Sequence, residues 1–193
     1  MPSSTLELDF KGPYRFVGRD RSVFEAPCAA SPGVYLWTVK QHDGTHMIHY
    51  IGQTSAFAKR QREHLIQVLG LNYGIFNAEK AQTGVSELIW PGMCRKLPEE
   101  GPLQAVEEYK RINEKVLEYL SVLNVFFAEA DVGRSLLRHI EGCIGWNLRN
   151  NHPESKALFP DGVRVGTLMQ KDHGLLRIRS TEPIRGLDAE IPY

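Results

Sequence analysis

The run GVYLWTV, Gly33 to Val39, is apolar, aromatic and β-branched throughout, and the breaker Ser31-Pro32 precedes it. MIHYI, Met47 to Ile51, has the same character. The QHDGT between them supplies an Asp-Gly turn, so the two runs predict a β-hairpin. Beyond Gly52, Thr54 or Ser55 can N-cap a helix over 55–69, with Phe57, Leu65, Val68 and Leu69 inward and Lys59, Arg62 and Glu63 toward water. Gly70 ends that pattern. Residues 71–102 are irregular, punctuated by Gly74, Gly84 and the Pro-Gly of WPGM around one strand candidate, SELIW. Helical spacing returns from Leu103 through Val106, Tyr109, Val116, Leu117 and Leu120. VFFAEA, Val125 to Ala130, predicts a third strand. Asp131 then stands as the N-cap of a helix over 132–149. RVGTLM and LLRIRS, either side of Lys171 to Gly174, predict a late hairpin.

These elements predict an α/β (α+β) fold in one domain, 1–193. Its centre is a small, mainly antiparallel three-stranded sheet of 33–39, 47–51 and 124–130, flanked by helices 55–69 and 132–149. A helical insertion spans 71–122, and an extension, 152–193, carries the C-terminal hairpin.

Composition narrows the function classes. The chain of 193 residues is 42% hydrophobic and 24% charged, and no apolar run approaches the roughly eighteen residues of a membrane span, so no membrane partner is expected. Lys plus Arg equals Asp plus Glu at 23 each, which excludes a broad basic field; any nucleic-acid contact must be a local patch. Cys28, Cys94 and Cys143 are odd in number and outside any CxxC spacing, so they read as reduced thiols in a cytoplasmic protein. MPSSTLELDF has neither the basic nor the apolar region of a signal peptide.

The candidate chemistry lies on the hairpin and the two core helices. Tyr35 and Tyr50 can project from neighbouring strands. Arg60 and His64, four residues apart, share one face of the following helix. In the later helix Leu137, Ile140, Ile144 and Leu148 form the apolar stripe, and Glu141 stands at its edge with Arg134 and Arg138 on its own side. A carboxylate at such an edge is costly without a partner. His46 and His49 face opposite sides of their strand and read as structural. Lys171, His173, Arg177 and Arg179 read as a solvated hairpin face, and Trp37, Trp90 and Trp146 as core or edge packing.

GVY at 33–35, YIG at 50–52, an arginine ten residues after the second tyrosine and a later helical glutamate together resemble the GIY-YIG nucleases, over residues 31–70 and 123–151. The resemblance implies a nuclease acting on DNA with Mg²⁺ or Mn²⁺. It implies that Glu141 holds the metal, that Arg60 grips the scissile phosphate, and that Tyr35 and Tyr50 orient or deprotonate the attacking water. His64 is similar to a histidine that restriction enzymes of the family carry and could relay a proton. Many relatives have a lysine directly after YIG, where this chain has Gln53. They also carry an asparagine after a proline beyond the glutamate, whereas here Asn150 and Asn151 precede Pro153. Gln53 and Asn151 are therefore the candidate substrate contacts. A site-specific restriction endonuclease acting as a homodimer, and a nucleic-acid-binding module with an idle metal site, are the alternatives.

Overall fold

In STLELDF the residues Leu6, Leu8 and Phe10 alternate with Glu7 and Asp9, a period of two that makes the N-terminal stretch a half-buried strand, β1 (Ser4–Arg15). The structure, a computed structural model, describes residues 4–93, 100–158 and 174–193. After β1 come β2 (Gly33–Lys40), β3 (His46–Thr54) and α1 (Phe57–Leu69). A small two-stranded unit follows, β4 (Ile75–Phe76) and β5 (Leu88–Trp90), with α2 (Ala78–Gln82) between its strands. The helices α3 (Glu100–Glu107) and α4 (Tyr109–Val122) lead into β6 (Leu123–Glu129) and α5 (Arg134–Asn151). The chain ends in β7 (Gly174–Ser180), β8 (Ile184–Arg185) and β9 (Glu190–Pro192).

The sheet corrects the sequence-based expectation. It is seven-stranded and mixed, in the order β8-β3-β2-β6-β1-β7-β9, and not a small three-stranded antiparallel sheet. The expected strands form its centre as the antiparallel neighbours β3, β2 and β6. β1 adds to β6 antiparallel, β7 to β1 in parallel, and β8 to β3 in parallel. The parallel pairing of β7 with the first strand is a contact between chain ends, which no local pattern announces. LLRIRS pairs with β1 and β9, while RVGTLM, its expected hairpin partner, lies outside the described residues. The basic run also resolves. Arg177 sits opposite Glu7 and 3.4 Å from Glu190, and Arg179 sits opposite Asp9, so these two cations face acids in register. Lys171 and His173 lie outside the described residues.

Both faces of the sheet are covered. On one, Val34, Leu36, Ile48, Ile51 and Phe126 pack with Leu137, Ile140 and Ile144 of α5. On the other, Tyr35, Trp37, Val39 and Phe127 pack with Phe57 and Val68 of α1 and with Ile112, Val116 and Tyr119 of α4. The Phe57 and Phe127 rings stack with centroids 4.4 Å apart, a geometry worth about 0.5–1.5 kcal/mol beyond the area it buries. Trp37 and Trp90 are core residues, but Trp146 is 45% exposed. Cys28 and Cys143 are free thiols. No helix among the described residues is long and apolar enough to cross a membrane.

Register decides which side chains meet. Trp37 pairs with Tyr50 and Thr38 with Ile48, so β3 carries one extra residue there. Such a bulge turns two consecutive side chains toward the same side. His49 meets Phe76 and Tyr119, and Tyr50 meets Tyr35 and Trp37, all on the α1 and α4 face. His46 faces the other way, to Thr38 and Phe126, and both histidines are buried and hydrogen-bonded.

Candidate active site

Tyr35 and Tyr50 stand side by side on β2 and β3, their rings stacked with centroids 6.0 Å apart. Gly52 is directly opposite Tyr35 in the ladder, and a Cβ there would lie 2.3 Å from the Tyr35 hydroxyl oxygen. The glycine of YIG is thus the space in which the tyrosine of GVY lies. A Gly52→Ala change should cost about 1–3 kcal/mol through overpacking, because Tyr35 is fully buried and has nowhere to swing. Thermal melting checks this, and an unchanged midpoint would show that the ring can move.

Helix α1 buries Phe57, Gln61, His64 and Val68, a stripe at helical spacing. The expected stripe runs through Leu65 and Leu69, but Leu69 is 43% exposed and two polar residues point inward instead. The polar groups of the sheet explain the exchange. His64 Nε2 lies 2.6 Å from the Tyr35 hydroxyl, and the Trp37 indole N–H donates to Gln61 Oε1 at 2.9 Å. His64 Nδ1 and Gln61 Nε2, also buried, have no hydrogen-bond partner among the described residues. The expected N-cap is absent too, since Ala56 holds that position and the Thr54 hydroxyl folds back on it. The first amides of α1, those of Phe57 and Ala58, donate to the carbonyls of Ser31 and Ala29, which anchors the helix to the segment before β2. At the other core helix, Gly133 and not Asp131 is the N-cap.

Arg60 is half-buried one turn before His64, and its Nη1 donates to Glu63 at 2.9 Å. Glu141 is half-buried on α5; burial pushes its carboxyl up to about 7 against the pull of Arg138 and Arg60. Burial also raises the Tyr50 phenol, and the Glu141 charge raises it further while Arg60 lowers it. Tyr35 is held well above the usual phenol range by burial and then by Tyr50, with Arg60 again opposing. Tyr50, Arg60 and Glu141 therefore feel one another although α1 and α5 cover opposite faces. Strand β3 makes this electrostatic interaction possible. β8 pairs only with His46 and Met47, so among the described residues the Tyr50–Thr54 half of β3 has no strand on its outer side. Around that open edge the two helices come within electrostatic reach.

His64 does not fit a proton relay that charges at neutral pH. Burial, then the Arg60 charge, depresses its imidazole to about 3, so it is neutral and holds the Tyr35 phenol in place. Gln53 lines a cleft of about 370 Å³ together with Thr54, Lys59, Arg60, Glu63, Arg134 and Leu137. Asn151 is elsewhere. It donates to Asn147, whose amide donates to Asp188 at 2.8 Å, and ten residues along the helix put it about 15 Å from Glu141. Its visible role is to tie α5 to the C-terminal segment. Tyr73 belongs to the cluster, with its ring 5.8 Å from His64. It comes from the irregular stretch after α1, where no pattern marks it.

Among the described residues no group of three or more His, Cys, Asp or Glu could hold a metal ion. A single carboxylate such as Glu141 fits only a hard cation that keeps most of its water or takes oxygens from a substrate, which is the habit of Mg²⁺.

Acid should weaken the fold. Burial depresses His49 to about 4, His64 to about 3, and His46 below its usual value despite Glu182. These groups are neutral when folded and bind protons more readily unfolded, so stability is full above about pH 6.5 and falls as pH drops toward their folded values. His49 alone is worth about 3 kcal/mol over that range. Glu141 acts in the opposite sense: its raised carboxyl loses stability as pH rises from 4.5 through about 7. Three histidines against one carboxyl leave a net loss in acid, measurable by urea unfolding at stepped pH. A flat profile would contradict the buried, neutral histidines.

Compared with protein-family models, with curated proteins and with solved structures, the chain matches none, so the resemblance to GIY-YIG nucleases rests on the sequence motifs alone.

Proposed function

We propose that the protein is a divalent-metal-dependent endonuclease that hydrolyses DNA phosphodiester bonds at the cluster of Tyr35, Tyr50, Arg60 and Glu141. The observation that carries this reading is the open edge of β3, where a phenol, a guanidinium and a half-buried carboxyl from three elements share one electrostatic environment. Each suits one need of the reaction. Arg60 neutralises the scissile phosphate, its planar fork matching two phosphate oxygens. Tyr50, the less buried phenol, orients the attacking water. Tyr35 and His64 form a neutral pair behind it that fixes the phenol ring. Glu141 would hold the cation, which when bound supplies charge stabilisation and acidifies water. The raised tyrosines and depressed His64 favour positioning roles for these groups over proton abstraction.

Plasmid nicking in Mg²⁺ and in chelator tests this directly. Because a cation must displace a proton from Glu141, the Mg²⁺ needed for half-maximal nicking should rise as pH falls below about 7. Nicking that persists in chelator, or a Mg²⁺ requirement indifferent to pH, counts against Glu141 as the ligand.

A further inference from the structure

We infer that the cleft between the start of α1 and the start of α5 is a second phosphate subsite, in which Arg134 and Lys59 grip the backbone phosphate next to the one held by Arg60. The inference rests on the nuclease reading for the identity of the strand, and on the cleft itself for the anion.

Lys59, Arg60 and Arg134 line this one cavity, with Glu63 as its acidic residue. Glu63 is engaged by Arg60, while among the described residues no ion pair is formed by Lys59 or Arg134. Arg134 is also the first residue of α5, where the helix dipole opposes a cation, and the first turn has no acidic residue to compensate it. The first turn of α1 has none either. Positive charge is thus gathered where the fold itself disfavours it, and an incoming anion relieves the repulsion. The amides at the start of α1 are taken by Ser31 and Ala29, so the grip comes from side chains and not from a helix end. Gln53, beside these cations, adds a neutral amide to the same wall. Because Arg60 belongs both to this cleft and to the catalytic cluster, an occupant of the cleft is continuous with the scissile phosphate. A single nucleic-acid strand, with phosphates at regular intervals, has the chemistry to fill both.

The test is binding of a fluorescently labelled short DNA duplex, followed by anisotropy in chelator across a salt series, so that no cleavage is needed. Arg134→Gln and Lys59→Gln should weaken binding to all sequences alike and make the slope of log affinity against log salt shallower by about one for each phosphate no longer neutralised. Their thermal midpoints should match the wild type. Arg177→Gln, on the far strand β7 and paired with Glu190, is the control and should leave the slope unchanged. An Arg134→Gln slope equal to the wild type, an equal change in Arg177→Gln, or a wild type that does not bind the duplex overturns the subsite. The outcomes separate the two claims. A wild type that nicks while Arg134→Gln binds normally keeps the nuclease and removes the subsite. A shallower slope from a protein that never nicks keeps the anion cleft and removes the nuclease.

Discussion

Glu141→Gln is expected to lower DNA cleavage at least about a hundredfold while leaving the protein folded, since stabilisation of charge at a reacting centre is commonly worth several kcal/mol. Glutamine keeps the size of the side chain and its helix propensity, so α5 loses nothing structurally. The wild-type carboxyl bears a desolvation cost for its charge, visible in its rise to about 7, and the amide does not carry that charge. The thermal midpoint should therefore hold or increase slightly. The Tyr50 phenol, relieved of a neighbouring negative charge, should titrate lower in the variant, which ultraviolet titration of the tyrosines can follow. A variant that cleaves normally would place the essential charge elsewhere.

Arg60→Lys should cost about tenfold or more in cleavage although the charge is retained. The helix itself would tolerate lysine, which can keep the ion pair with Glu63 three residues on. What would disappear is the planar fork that, in the proposed mechanism, holds two phosphate oxygens together beside Tyr50 and Glu141. Measured at saturating DNA, the loss should appear chiefly in kcat, because a point charge still binds the ground state. Wild-type cleavage by Arg60→Lys would reduce Arg60 to a partner of Glu63.

The strands β2, β3 and β6 are legible in the sequence because their apolar runs are unbroken, as strands buried on both faces require. Strand β1 carries an equally plain signal in Leu6, Leu8 and Phe10, and an expectation of three strands passes over it. The pairing of β1 with β7 is not legible, because it joins residues near the two ends of the chain, which no local pattern links. In the site, the order of Tyr35, Tyr50, Arg60 and Glu141 and the border position of Glu141 follow from spacing. The burial of Gln61 and His64 does not, since hydropathy puts polar residues outside unless their partners are known, and Trp37 and Tyr35 are partners only in the folded sheet. The bulge that turns His49 and Tyr50 to one side hides in the register and not in the composition. Asn151 shows the limit of carrying a family position across a shifted motif: its bond to Asn147 engages it at the far end of α5 from Glu141.

The central claim is that Glu141 serves catalysis and not DNA binding. The most direct measurement compares plasmid nicking rate with gel-shift affinity, side by side, for the wild type and Glu141→Gln in Mg²⁺ and in chelator. The wild type should nick in Mg²⁺ alone, the variant should nick at least about a hundredfold more slowly, and the two proteins should bind DNA with equal affinity in chelator. A variant that nicks at the wild-type rate, or one that loses nicking only in proportion to a loss of affinity, would contradict that claim.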